Sequence, residues 1–353
     1  MRTWDTIIVG GGIIGLSLAI ELRKRGLSVL IVERGELGHE ASHAAAGMLA
    51  DCPSELPQPL WQLATASAKM YPEFVHELED ESGIKVDLRE QGTVLLSPRS
   101  LPADKLRTLA PSELAIREPE IKNDGPVFFR AERSVDPRLL TKAAIAAAKH
   151  RQVDIASSAE AKQVLTSNGK VTGVLTEKTE YSAAIVINCA GAWAGGIAPR
   201  QFETKPIKGQ MLALVGTSLQ HVVRAQGVYF VPRSDGRLVI GSTLEDAGFD
   251  THVETDTIQR LHQAAIDLVP ALRYAKIHEA WAGLRPGTPD ELPILGETST
   301  QGYFVATGHY RDGILLAPIT AKLMAQVITG DKWEFDLSAF SALRFQQTHL
   351  AAD

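Results

Sequence analysis

Cysteine is nearly absent: the 353 residues contain only Cys52 and Cys189. Two thiols so far apart cannot form a disulfide framework or a structural zinc site, and they fit a reducing compartment. Positive charge is not in surplus either. The net charge of −6 argues against a nucleic-acid partner held by a broad basic field. Long apolar runs are missing too. IVINCAGAWAGGIA, residues 185–198, is interrupted by Asn and Gly and is too short to span a bilayer. No basic amphipathic helix points to a membrane surface, and there are no repeats or low-complexity segments. The first apolar strand begins almost at residue 1, leaving no space for a cleavable leader. The expectation is a cytoplasmic protein without stable membrane insertion, its self-association left open. At this length two domains are the default.

What is present is concentrated at the start. Residues 4–34, WDTIIVGGGIIGLSLAIELRKRGLSVLIVER, read as buried strand, glycine turn, helix and second strand. Gly10, Gly12 and Gly15 form GxGxxG inside that unit. Gly10 permits the turn, Gly12 lets backbone approach a pyrophosphate, and Gly15 lets the helix pack on the strand. The phosphates would meet free N–H groups and the positive end of the helix dipole. Glu33 closes the second strand, where a carboxylate can accept from ribose hydroxyls. A glycine-rich turn alone is weak evidence; strand, helix, strand and acid in this order point to a bound dinucleotide.

Further along, GHEASHAAAGMLA (38–50) reads as a small-residue loop able to lie close to a flat ring. Residues 60–83 have amphipathic helix spacing. From Ile84 the texture changes to alternating strands, VDLREQGTVLLSP (86–98) and PVFFRAERSV (126–135). Residues 135–151 return to helix, with Asp136 as N-cap and Pro137 at the first position. Asn168-Gly169 between apolar runs predicts a type I′ hairpin. Strands alternate again from about Lys205 to Arg285, interrupted by a helix beginning near Thr255. GYFVATGHYRDGILLAPITAKLMAQVITG (302–330) reads as strand, turn and helix. Three glycine-bearing strand ends, GGGIIG, NCAGAWAG and ATGHYRDG, would converge at the carboxyl edge of a doubly wound sheet. A nicotinamide dehydrogenase typically needs only the first of these, whereas a larger, deeply enclosed cofactor such as FAD would account for all three.

These strings, with VDPRLL, GQML, YFVPRSDGRLVIGST and WAGLRPGTPDELPILG, resemble the FAD-dependent amine oxidoreductases of the D-amino-acid oxidase superfamily. Within it they are most similar to the glycine oxidases of thiamine biosynthesis. The resemblance covers nearly the whole chain. It implies an α/β fold: an FAD-binding Rossmann-like domain of the GR2 type (1–84, 136–206 and 286–353) with a discontinuous β-rich substrate domain (85–135 and 207–285). It implies that Gly10, Gly12, Ile13, Ile14, Gly15, Glu33 and Arg34 hold the ADP half of FAD. Ser42, Ala45, Ala46, Gly47 and Met48 would line flavin and phosphates. Val164, Ala190, Gly191 and Trp193 would complete the cofactor's surroundings with Gly308, His309, Tyr310, Arg311, Asp312, Gly313 and Ile314.

The resemblance further implies that Arg285 pairs with a substrate carboxylate. The planar fork of arginine independently suits an anion in this apolar context. Tyr229 would contact the same carboxylate, Arg311 would lie at the flavin end, and Met48 and Leu244 would form pocket walls. Some relatives carry methionine where Leu244 stands. His309 packs or hydrogen-bonds beside the flavin rather than acting as a base. The implied reaction is oxidation of glycine, small amines or D-amino acids, with hydride passing from Cα to flavin N5, an imine product, and molecular oxygen reduced to hydrogen peroxide. Sarcosine oxidases and D-amino-acid dehydrogenases using another acceptor are the nearest rivals. A tRNA-modifying flavin domain would need a basic surface. Both cysteines lie away from the C-terminal motif where monomeric sarcosine oxidases tether flavin, so the expected FAD is non-covalent. No metal is expected.

Overall fold

The computed structural model describes residues 2–52, 56–96 and 106–345. Residues 97 and 98 of the expected strand segment, and 346–353 of the expected cofactor domain, lie outside these. The opening unit forms as its pattern dictates: strand Thr3–Val9, helix Ile13–Lys24 and strand Val29–Val32. The strands pair in parallel, with Ile7 opposite Leu30. Strand Glu180–Asn188 lies parallel on the other side of the first strand, and Tyr303–Thr307 pairs parallel to it in turn. Strand Asp154–Ala156 pairs parallel to Val29–Val32 as well, so five carboxyl ends point to one edge. The hairpin Ala161–Ser167/Lys170–Thr176 and strand Ile294–Glu297 add antiparallel borders to this sheet. Asn168 and Gly169 take φ of 50° and 76°, as a type I′ turn requires.

A second eight-stranded sheet runs in the order 276–287, 205–215, 237–241, 228–232, 222–225, 93–96, 127–130, 107–108. Its side chains alternate with period two. Leu212, Phe230 and Ile240 pack with Leu261 of helix Thr255–Leu268. Their neighbours Met211, Tyr229, Val231 and Val239 face the opposite way and cluster with Ala46 and Met48. A small sheet of Met48–Leu49, Arg133–Val135 and Leu88–Arg89 joins the two large ones.

Four helices pack together around Leu16, Leu63, Ala144 and Leu316 beside the first sheet. They are Ile13–Lys24, Trp61–Ser82, Pro137–His150 and Gly313–Thr329. Asp136 caps the third of these, accepting from the N–H groups of Arg138 and Leu139 at 2.8 and 3.2 Å. Two of the helices contain proline, and each freed carbonyl has a substitute donor. Pro318 denies Ile314 its helical N–H, and the Tyr71 hydroxyl donates to that carbonyl instead. Pro72 frees the Ala68 carbonyl, which accepts from Arg133 Nη1 at 3.3 Å. Ser67, one turn before Tyr71, donates to the Leu315 carbonyl at 2.6 Å. No helix among the described residues is long and apolar enough to cross a membrane.

Candidate active site

A cavity of about 910 Å³ opens where the carboxyl edge of the first sheet meets the inner face of the second. That is the upper part of the range for ligand pockets. At one end lie Gly10, Gly12, Ile13 and Ile14, with Glu33 and Arg34. A Cβ on Gly15 would sit 2.1 Å from the Gly10 carbonyl oxygen, so this glycine serves helix–strand packing and does not line the cavity. Glu33 is buried, with Oε2 accepting from Gly11 N–H and Oε1 from Gly35 N–H, both at 2.8 Å. Two backbone donors thus hold a carboxylate at the cavity edge. Ser42 Oγ accepts from Ile13 N–H at 2.9 Å and caps the first helix turn. The Arg34 guanidinium lies 3.5 Å from the ring centre of Trp193, which stacks on Phe249.

The expected loop at 38–50 contains one helical turn, Ala41–Ala44, then extended Ala45 and left-handed Gly47 before strand Met48–Leu49. It is clamped from the second sheet. Trp281 Nε1 donates to the Ala44 carbonyl at 3.0 Å, and buried Arg233 donates to the carbonyls of Ala46 at 2.5 Å and Val135 at 3.0 Å. Burial lowers the Arg233 pKa to about 10. Opposite, Asn188 accepts from Ala190 N–H and donates to Tyr303 Oη and the Ala194 carbonyl, shaping the turn that presents Ala190, Gly191 and Trp193.

The last helix begins at the cavity too, through Asp312, Gly313 and Ile314. Tyr310 N–H donates to the Pro286 carbonyl at 3.0 Å, tying this turn to the strand that carries Arg285. His309 is buried against Thr320, with Nε2 and Oγ1 at 3.0 Å. Desolvation lowers its pKa to about 3, so the imidazole is neutral.

The substrate end is built on glycine. In the antiparallel register Ile207 faces Arg285 and Gly209 faces Gly283. A Cβ on Gly209 would lie 2.3 Å from Arg285 Nη1, and one on Gly241 would lie 2.3 Å from Tyr229 Oη. The guanidinium and the phenol therefore rest on bare backbone. Arg285 Nη2 donates to Ser242 Oγ at 2.7 Å, and Nη1 to the Thr243 and Lys208 carbonyls at 3.3 and 3.5 Å. All three acceptors are neutral. Among the described residues no carboxylate pairs with Arg285, so its charge faces the cavity uncompensated. Burial pushes the Tyr229 phenol up, which keeps it protonated as a donor.

The structure thus brings nearly every expected residue to one cavity, including Met48, Leu244, Tyr229, Arg285 and Arg311. Gly308, like Gly15, lies just outside the lining. Val164 departs from expectation: it is 1 % exposed in the core, and its strand reaches the cavity with Ala161 and Lys162 instead. The ladder shifts register between Ala161 and Gln163, and sequence alone does not show such a shift. Leu244 is 63 % exposed, so it stands at the rim rather than forming a closed wall. Residues not anticipated are Met211 and Ser242 in the pocket, and Arg233 and Trp281 behind it. Only Met211 left a signal, at strand spacing from Gly209 within GQML.

The residues fit FAD: two helix N-termini, a buried anchored carboxylate and a small-residue strip line one elongated space. A family model described as FAD dependent oxidoreductase matches residues 5–327. The chain belongs to that family, which makes it a flavin-dependent oxidoreductase. More particularly, it is 34% identical to the glycine oxidase of Geobacillus kaustophilus, over 97% of each chain. The crystal structure of glycine oxidase from Geobacillus kaustophilus matches with a TM-score of 0.91 at 32% identity, covering 98% of this chain and 99% of that one. Identity to the bifunctional protein ThiO/ThiG of Synechocystis sp. is 37% over 98% of this chain, which spans 55% of that relative's length.

Proposed function

We propose that the protein oxidises small amines bearing a carboxylate, with glycine, sarcosine and small D-amino acids as substrates. The uncompensated Arg285 beside a protonated Tyr229 carries this reading, because the pair forms an anion seat in a cavity already suited to FAD. Similarity to ThiO/ThiG supports supply of the glycine imine for thiamine biosynthesis. On this reading Arg285 and Tyr229 fix the carboxylate, and the turn 308–313, tied to the Arg285 strand by the Tyr310–Pro286 bond, would help hold the cofactor beside them. FAD held by these residues would supply a two-electron acceptor for the hydride from Cα, with molecular oxygen as the terminal oxidant. Neutral His309, engaged by Thr320, orients this turn and takes no proton from carbon. The domain division given above is part of the same proposal.

Anaerobic stopped-flow reduction of the flavin tests it. Glycine, sarcosine and D-alanine should bleach the flavin, and L-alanine should not. With the carboxylate seated and Cα–H directed at the acceptor, the L-enantiomer cannot place amine and side chain together. Rapid reduction by L-alanine, or none by the other three, would overturn the proposal. Reduction that then fails to be reversed by oxygen would favour a dehydrogenase.

A further inference from the structure

We infer that Ser242 is a positioning residue that joins Arg285 and Tyr229 into one carboxylate-recognition unit. The inference rests on the carboxylate reading above and names a side chain which that reading does not require. Gly241 closes its strand directly across from Tyr229. Ser242 is the first residue past that strand end, where the backbone leaves the ladder. Because Gly241 has no Cβ, the phenol lies over its backbone, and its oxygen is approached by both the Ser242 side chain and the Arg285 guanidinium. Ser242 Oγ also accepts the shortest bond that Arg285 makes, 2.7 Å from Nη2.

A hydroxyl has one proton to give and two lone pairs. Since Oγ accepts from Arg285, its own proton is available to the Tyr229 oxygen. The phenol proton must then point elsewhere. In this structure it meets Met211 Sδ at 3.8 Å, a weak acceptor. A carboxylate oxygen at the cavity face of Arg285 is a far stronger one. The guanidinium donates to the hydroxyl, and both flank the phenol oxygen, so the three groups form one network in which each donor strengthens the next. Ser242 thereby holds Nη2 in place and sets the direction of the Tyr229 proton, while the two backbone carbonyls hold only Nη1.

The test compares wild-type holoenzyme with Ser242→Ala, Ser242→Thr, Tyr229→Phe and the Ser242→Ala/Tyr229→Phe double variant. Acetate is titrated by its perturbation of the flavin spectrum, and KM and kcat are measured for glycine and for a carboxylate-free amine, propylamine. Ser242→Ala should weaken acetate and raise the glycine KM about tenfold, roughly 1.4 kcal/mol. It should leave kcat and propylamine oxidation within about twofold (under ~0.5 kcal/mol). Ser242→Thr should restore acetate binding. The double variant should lose less than the product of the two single losses, since both act on one donor. Unchanged acetate affinity in Ser242→Ala, or equal losses for acetate and propylamine, would overturn the inference and leave the carboxylate reading intact. A wild-type enzyme that binds no acetate and does not oxidise glycine would overturn both.

Discussion

Gly209 and Arg285 share a space that only one side chain can occupy. A Cβ at 209 would come 2.3 Å from Nη1, but the atom it meets is the far end of a flexible side chain, held there by two long bonds to carbonyls. Gly209→Ala should therefore fold normally while displacing the guanidinium from the cavity face. The expected result is a Tm within about 2 °C of wild type, since a ΔΔG of 1 kcal/mol moves Tm by only a few degrees. The glycine KM should rise at least about tenfold, or 1.4 kcal/mol. Thermal melts and steady-state kinetics check this, and an unchanged KM would show that Arg285 is not the carboxylate partner. The separate tasks of Gly10, Gly12 and Gly15 were legible in sequence because GxGxxG is a local motif. Ser242 was not: its partners are Tyr229 and Arg285, and no spacing in the chain reveals that juxtaposition.

At the level of elements, the last helix shows how the site is braced from behind. Its first turn meets the cavity, yet Pro318 leaves the Ile314 carbonyl without its helical donor. Tyr71 fills that place from the helix Trp61–Ser82. Tyr71→Phe would leave a buried carbonyl unsatisfied, at a cost of about 1–3 kcal/mol. Tm should fall, and FAD affinity measured by flavin fluorescence should weaken with it, because Ile314 and Gly313 lie at the cavity. A lower Tm with unaltered FAD affinity would separate the brace from the site. Both helices were readable from apolar spacing and flanking glycine. The contact between them was not, since Tyr71 and Ile314 are 243 positions apart.

Across the whole molecule, the cofactor edge and the substrate face are stitched together by side chains reaching from one sheet to the other's loop. Trp281 and Arg233 hold the strip of small residues at 44–46 by its carbonyls. Both thiols are buried, and burial pushes that of Cys189, the one at the cavity, up and away from its nucleophilic form. FAD should accordingly be held by packing and hydrogen bonds alone. Acid precipitation of the yellow protein should release FAD into the supernatant, and flavin retained in the washed pellet would point to a covalent tether.

The dinucleotide unit, the capped helix at Asp136, the Asn168-Gly169 hairpin and the α/β class were all legible in the chain's residues. In each of these the deciding interactions lie within a few residues: a turn's φ, a cap, a repeating apolar face. Family resemblance extended that reading to Arg285 and Tyr229. Tertiary structure alone decided that Ala161 rather than Val164 meets the cavity, that Leu244 stands at the rim, and that Ser242 joins the anion seat. Those outcomes depend on strand register, a ladder shift and the approach of two sheets, and a shift of one residue turns a strand's side chains to its opposite face.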